Sequence, residues 1–160
     1  MTQESDVAHM REAIAQAERA SLAGSRPFGA VLADATGQRL YVARNDQLSG
    51  GDCTGHAEMN LVRQASADLG APALVGATVY ASGEPCAMCA GALYWAGVAR
   101  IVYGAPLASI ERILGGSSLG LPLRDALAHA QRSVRVDGPV LEDEARVALE
   151  AGAARLKNLP

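Results

Sequence analysis

Two short stretches, His56-Ala57-Glu58 and Pro85-Cys86-Ala87-Met88-Cys89, hold one imidazole, two thiols and one carboxylate. Zn²⁺ takes four tetrahedral N or S ligands, and a catalytic site draws three from the protein so that water fills the fourth position. His56, Cys86 and Cys89 supply three. Water held in this way ionises near pH ~7 rather than ~15.7, and a neighbouring carboxylate can carry protons without binding the metal. Glu58 is the candidate for that carboxylate. A lone Cys-x-x-Cys is shared with redox motifs and structural zinc sites. A His-x-Glu about thirty residues upstream makes the signal specific.

Two helix starts must bring these groups together. Thr54 is the expected N-cap of a helix from His56 to about Leu69, which Gly70 and Pro72 stop. His56 and Glu58 then fall in a first turn, where free N–H groups and the positive end of the dipole favour anions. Residues 77–81 form a short apolar strand of the buried kind, and Ser82-Gly83-Glu84-Pro85 reads as a tight turn leading to Cys86. Cys86 and Cys89, three apart, share one face of the next helix. Glu84 is adjacent and acidic, and is read as a brace for the turn.

The remaining elements surround that core. Residues 5–23 have helical spacing at Val7, Met10, Ile14 and Ala17, with Ser5 or Asp6 as N-cap and Gly24 as stop. Residues 28–33 and 38–44 flank Asp34-Ala35-Thr36-Gly37 as a β-hairpin, and residues 47–55 form a loop bordering the site. Residues 100–104 make a strand parallel to 77–81, because a helix crosses between them. Beyond it are expected a helix over 108–114, a Gly-rich loop reaching Gly120, helices over 122–131 and 141–156, and a strand over 133–137. Glu142-Asp143-Glu144 decorates the first turn of the last helix, with a substrate contact as the lesser option. His9, His129 and Cys53 have bland readings as surface, packing or loop residues.

These motifs resemble the cytidine-deaminase-like superfamily, and within it the small guanine, cytosine and tRNA-adenosine deaminases. Pro27-Phe28-Gly29-Ala30-Val31 is similar to the family's first strand, and Asn45 stands eleven residues before His56 as the family's base-holding Asn does. Ala90-Gly91-Ala92-Leu93-Tyr94-Trp95 continues the second metal helix, so the resemblance runs from about Asp6 to Gly104. It implies an α/β fold of three layers, α/β/α, with a five-stranded mixed sheet and helices on both faces, as a single deaminase domain over residues 1–160. It implies Zn²⁺ on His56, Cys86 and Cys89, with Glu58 as the proton carrier. Substrate contacts are implied for Asn45, Phe28, Trp95, the N–H of Ala57 and the carbonyl of Ser82. A homodimer is implied as well, since family members pack their metal-site helices across a subunit interface.

The implied reaction is hydrolytic removal of an exocyclic amine from a free nucleobase or similar aminated heterocycle, guanine-type or cytosine-type, with release of ammonia. Phe28 and Tyr94-Trp95 are more similar to guanine or guanosine deaminases than to tRNA editors, whose arginine-rich C-terminal helix is missing here. Two alternatives stay open: a tRNA adenosine-to-inosine deaminase, and a zinc-stabilised interaction domain without catalysis. Three departures stand out. Cys53-Thr54-Gly55 replaces the relatives' Pro-Thr-Ala, Gly83 replaces a Cys or Leu, and Ile113-Leu114-Gly115-Gly116-Ser117-Ser118 lacks the acid that guanine deaminases carry there.

Whole-chain properties agree with a small substrate. A chain of 160 residues, 49% of them hydrophobic, suffices for one domain with a sizeable core. The formal charge of −3 gives no global attraction to nucleic acid. No run of eighteen apolar residues occurs, and the first residues lack the pattern of a secretion signal, so a cytoplasmic protein without a membrane contact is expected. Three cysteines do not make a disulfide scaffold, and a reducing compartment keeps Cys86 and Cys89 available to a metal.

Overall fold

Alternate residues of β1 (Gly29–Ala33) enter two different cores, which puts this strand in the middle of three layers. In the computed structural model, which describes residues 2–116 and 118–158, all five of its residues are buried. Ala30 and Leu32 cluster with Ala57, Leu61, Ala65, Ala90 and Leu93. Val31 and Ala33 cluster with Met10, Ala13, Ile14, Ala148 and Leu149. A strand sends successive side chains to opposite faces, so burial of both sets requires helices on both.

The sheet order is β2-β1-β3-β4-β5. β2 (Arg39–Arg44) and β3 (Thr78–Gly83) pair antiparallel with β1, whereas β4 (Arg100–Ala105) and β5 (Arg135–Asp137) extend the sheet in parallel. This is the five-stranded mixed sheet the resemblance implied. On one face pack α1 (Gln3–Leu22), α5 (Leu107–Leu114) and α7 (Glu142–Lys157). On the other lie α3 (Ala57–Leu69), α4 (Ala87–Trp95) and the short α6 (Leu123–Ala126). α2 (Gln47–Gly50) is a single turn inside the loop expected over 47–55.

Several boundaries differ from expectation for local reasons. α1 begins before Ser5 because the Thr2 hydroxyl accepts from the Ser5 N–H at 3.3 Å and serves as the cap. α3 is not capped by Thr54: that hydroxyl donates to Asp52 at 2.8 Å, and His56 occupies the cap position. β3 runs on through Gly83, paired with Ala105, so Ser82 and Gly83 belong to the strand and not to a turn. The helix expected over 122–131 shrinks to α6, since Ala128, His129 and Gln131 are exposed and present no apolar face to bury. Ser117, in the Gly-rich loop, lies outside the described residues.

A charged network ties the start of β4 to its neighbours. Arg100 donates to both carboxylate oxygens of Asp6, at 2.7 and 2.8 Å, and to Asp137 at 2.6 Å. The Tyr80 hydroxyl also donates to Asp6, at 2.7 Å. The bonded Arg100 guanidinium holds Asp6 below the usual carboxylate range. Burial raises Asp137, but Arg100 and Arg135 outweigh it and leave that carboxyl lowered too. His9 packs against Tyr80 and bonds the Gly37 carbonyl at 2.9 Å, a packing role as expected. Among the described residues no helix is long and apolar enough to cross a membrane.

Candidate metal centre and active site

His56 immediately precedes α3 and Cys86 immediately precedes α4, and these helices pack against each other on one face of the sheet. Their N-terminal ends therefore meet. His56 Nδ1 lies 3.7 Å from Cys86 Sγ and 3.6 Å from Cys89 Sγ, and the two sulfurs are 3.7 Å apart. A tetrahedral zinc ion with bonds of about 2.3 Å to sulfur and about 2.0 Å to nitrogen spaces such ligands roughly 3.5–3.8 Å apart. The triangle fits that ion without rearrangement. The hydrogen bond between the two sulfurs and the contact with His56 together push the Cys86 thiol down to about 4 against its burial. The same sulfur–sulfur bond, with burial, pushes Cys89 up, so the pair retains one proton. Both sulfurs ligate only as thiolates, so metal loading releases that proton.

Glu58 stands in the first turn of α3, buried, with Oε2 3.4 Å from Cys89 Sγ. Desolvation pushes its carboxyl up. It lines a cavity of about 300 Å³ together with Phe28, Asn45, His56, Cys86 and Ala87. Leu107, Ile110 and Leu114 of α5, with Leu119 and Leu121 beyond it, form the apolar wall. Asn45 is almost fully buried and fixed on two sides: its N–H donates to the Phe28 carbonyl at 2.9 Å, and its Oδ1 accepts from the Gln47 N–H at 3.0 Å. Its Nδ2 has no partner, nor does Gln47 Oε1; among the described residues these are the two buried side-chain polar atoms left unpaired. Buried polar groups are nearly always satisfied, so an unpaired donor and acceptor on a cavity wall mark a place for a ligand.

Two of the sequence departures are explained here. A Cβ at position 55 would come within 2.4 Å of Asp46 Oδ1, the atom that accepts from Asn60 Nδ2 at 2.7 Å. Gly55 thus admits the Asp46 carboxylate that fixes the loop before His56. A Cβ at position 83 would lie 2.8 Å from the Phe28 ring and 2.9 Å from Ile110 Cδ1. Gly83 makes room for the two side chains that wall the cavity.

Residues 3–105 match the family model described as the cytidine and deoxycytidylate deaminase zinc-binding region. The chain belongs to this deaminase family. A probable cytosine deaminase of Schizosaccharomyces pombe is 36% identical over 149 residues, which cover 89% of this chain and 88% of that protein. The tRNA-specific adenosine deaminase of Bacillus subtilis is 41% identical over 105 residues, 66% of this chain and 63% of that protein. The solved guanine deaminase of Nitrosomonas europaea shares the fold, with a TM-score of 0.81 at 24% identity over 92% of this chain and 84% of that one.

In this deaminase the expected site residues divide. His56, Glu58, Cys86, Asn45 and Phe28 meet at the cavity, Cys89 completes the ligand triangle behind it, and Ala57 opens α3 with a first-turn N–H. Ser82 and Trp95 do not line it. Ser82 is buried inside the extended β3, its hydroxyl accepting from the Gly29 N–H at 3.0 Å. Trp95, at the last position of α4, is 85% exposed and its ring meets the edge of Tyr94. A stacking role for Trp95 therefore has no support within the deaminase's own cavity.

Glu142, Asp143 and Glu144 are exposed on α7, where Glu144 binds Arg11, and none reaches the cavity. Cys53 is exposed and outside the ligand cluster. Arg26, Gln47 and Glu111 also line the cavity and were not expected as site residues. Residues 113–118 hold no acid in the sequence, and the acid on this part of the wall is Glu111, on the same face of α5 as Leu107 and Leu114 and bonded by the Ser118 hydroxyl. The i, i+4, i+7 spacing of Leu107, Glu111 and Leu114 was the available signal.

Proposed function

We propose that this deaminase hydrolyses the exocyclic C–N bond of a free nucleobase or similar aminated heterocycle, guanine-type or cytosine-type, giving the oxo compound and ammonia. The observation that carries the proposal is the buried Glu58 carboxylate beside the His56–Cys86–Cys89 triangle, on a cavity that also presents the unpaired Asn45 amide. Zinc held by those three residues supplies an activated water near neutral pH. With zinc bound, Glu58 would take one proton from the attacking water and pass it to the ring nitrogen. It would then take the second from the new hydroxyl on the same carbon and pass it to the amine, so that a C–O bond forms, the C–N bond breaks and ammonia leaves. It must therefore stand next to the ligands without being one. Asn45 donates from Nδ2 to an acceptor on the ring, while the Gln47 N–H keeps the amide from turning away. Phe28 offers an aromatic face for stacking. The N–H of Ala57 serves the reacting end of the substrate from the first turn of α3.

A free base is favoured over RNA by size and charge. The cavity of about 300 Å³ sits at the small end of ligand sites, roughly 300–1,000 Å³. Its arginine and acidic lining consists of Arg26 against Glu58, Glu84 and Glu111, which does not attract a phosphate backbone. The 41% identity to a tRNA-specific adenosine deaminase supports tRNA editing as the second reading. A homodimer is proposed through α4, whose Met88, Gly91, Ala92 and Trp95 share one face with Trp95 exposed. A reducing cytoplasmic setting keeps both cysteines ready for metal.

Ammonia release from guanine, guanosine, cytosine, cytidine, adenine, a triazine and a tRNA anticodon stem-loop tests the proposal, with Glu58→Ala as the blank. A free base should exceed the blank by about 10²–10⁴-fold. Activity on the stem-loop alone would move the assignment to tRNA editing. Zinc binding with no substrate above the blank would favour the interaction domain.

A further inference from the structure

We propose that Glu84 is a positioning residue: its carboxylate ties the apolar wall of the cavity to the turn that carries Cys86, and so sets how tightly a substrate ring is held. The inference rests on the deaminase reading above. Glu84 sits between the end of β3 and Pro85-Cys86, and its own N–H donates to the Ala105 carbonyl at 2.8 Å. Its backbone is thereby locked to the end of β4. Oε2 accepts from the Leu107 N–H at 2.8 Å, and Oε1 accepts from the Leu123 N–H at 2.8 Å.

Leu107 is the first residue of α5 and Leu123 the first of α6, and the prolines preceding them provide no side-chain cap. First-turn N–H groups have no partner inside their own helix. One carboxylate serves both starts. An ionised acceptor at a helix start also complements the dipole, and its hydrogen bonds are stronger than neutral ones. Between these two anchors runs the whole apolar wall, Leu107, Ile110, Leu114, Leu119 and Leu121. Among the described residues beyond α5, the side-chain bonds of this segment are Ser118 to Glu111 and the Gly120 N–H to the Ser118 hydroxyl, both within it.

The arrangement separates Glu84 from a simpler role. A brace for its own turn would bond within residues 82–85, and neither oxygen does. Each oxygen accepts a backbone N–H from one end of the wall, so the carboxylate is held by the wall's two anchors. Glu84 acts on the substrate through the wall it holds.

The test compares zinc-loaded wild type, Glu84→Ala and Glu84→Gln by metal content, amide hydrogen exchange and steady-state kinetics on the best panel substrate. Glutamine keeps one acceptor oxygen and turns an amide donor toward the other N–H, so it should restore one bond of two. Exchange over residues 107–114 and 119–123 should rise more than about tenfold in Glu84→Ala and by an intermediate factor in Glu84→Gln, with one zinc per chain in all three. KM should rise about tenfold in Glu84→Ala while kcat stays within about threefold. Unchanged exchange in both variants overturns the proposal, as does a fall in kcat at constant KM. If Glu84→Ala does not fold, Glu84→Gln decides by the same readings. Exchange needs no substrate, so a chain inactive on the whole panel defeats the deamination reading and still leaves Glu84 judged by its wall.

Discussion

Asn45 shows how a single residue can be both fixed and available. Its Oδ1 is held by the Gln47 N–H and its Nδ2 is left unpaired against the cavity. Asn45→Ala removes the donor offered to the ring, so kcat/KM should fall by the equivalent of about 1–3 kcal/mol, mainly through KM, with zinc content unchanged. Steady-state ammonia release and metal analysis on the variant check this, and a kcat effect alone would contradict it. The convergence of His56, Cys86, Cys89 and Glu58 was legible in the sequence because a metal site with an adjacent acid restricts residue type and spacing so tightly. The positions of Trp95 and Ser82 outside the cavity lining were less legible, because they depend on where α4 ends and how far β3 runs. The pairing of Gly83 with Ala105, which keeps Ser82 in the sheet, leaves no local mark.

Between elements, the Arg100 network joins α1, β3, β4 and β5 through Asp6, Tyr80 and Asp137. Arg100→Met leaves the partly buried Asp6 without its cation and Asp137 with Arg135 alone, and should cost about 3 kcal/mol at pH 7. The folded pKa values of Asp6 and Asp137 lie below their ordinary value of 3.8. Their contribution is therefore full above that value and is lost as pH falls through the folded pKa values. Urea unfolding should show wild type losing stability below about pH 4, while its advantage over Arg100→Met shrinks over the same range. A constant advantage at all pH values would contradict the assignment. The hairpin and the βαβ unit were readable from turn chemistry and apolar runs. β5 was readable too, within the strand expected over 133–137, whereas the short extent of α6 was not, because its start is held from a distance: Leu123 by Glu84.

In the molecule as a whole, the apolar α4 bears two of the candidate metal ligands, Cys86 at its cap and Cys89 in its first turn, and exposes Trp95 on its last. A side chain added at Gly91 would meet nothing within 4 Å, so this face is open to a second copy. Trp95→Glu should convert a dimer to a monomer in sedimentation velocity, and a wild type that sediments as a monomer at every concentration would contradict the pairing. The resemblance reached to about Gly104 and the matched family region ends at residue 105, so the apolar wall of the cavity, Leu107 to Leu121, lies beyond it. That is why the chemistry was legible before the substrate was. The central claim is tested most directly by titrating zinc back into chelator-stripped protein while following ammonia release from the preferred base. Activity should rise in proportion to bound zinc up to one per chain and stay flat for Glu58→Ala; full activity in the stripped protein, or equal activity in the variant, would contradict it.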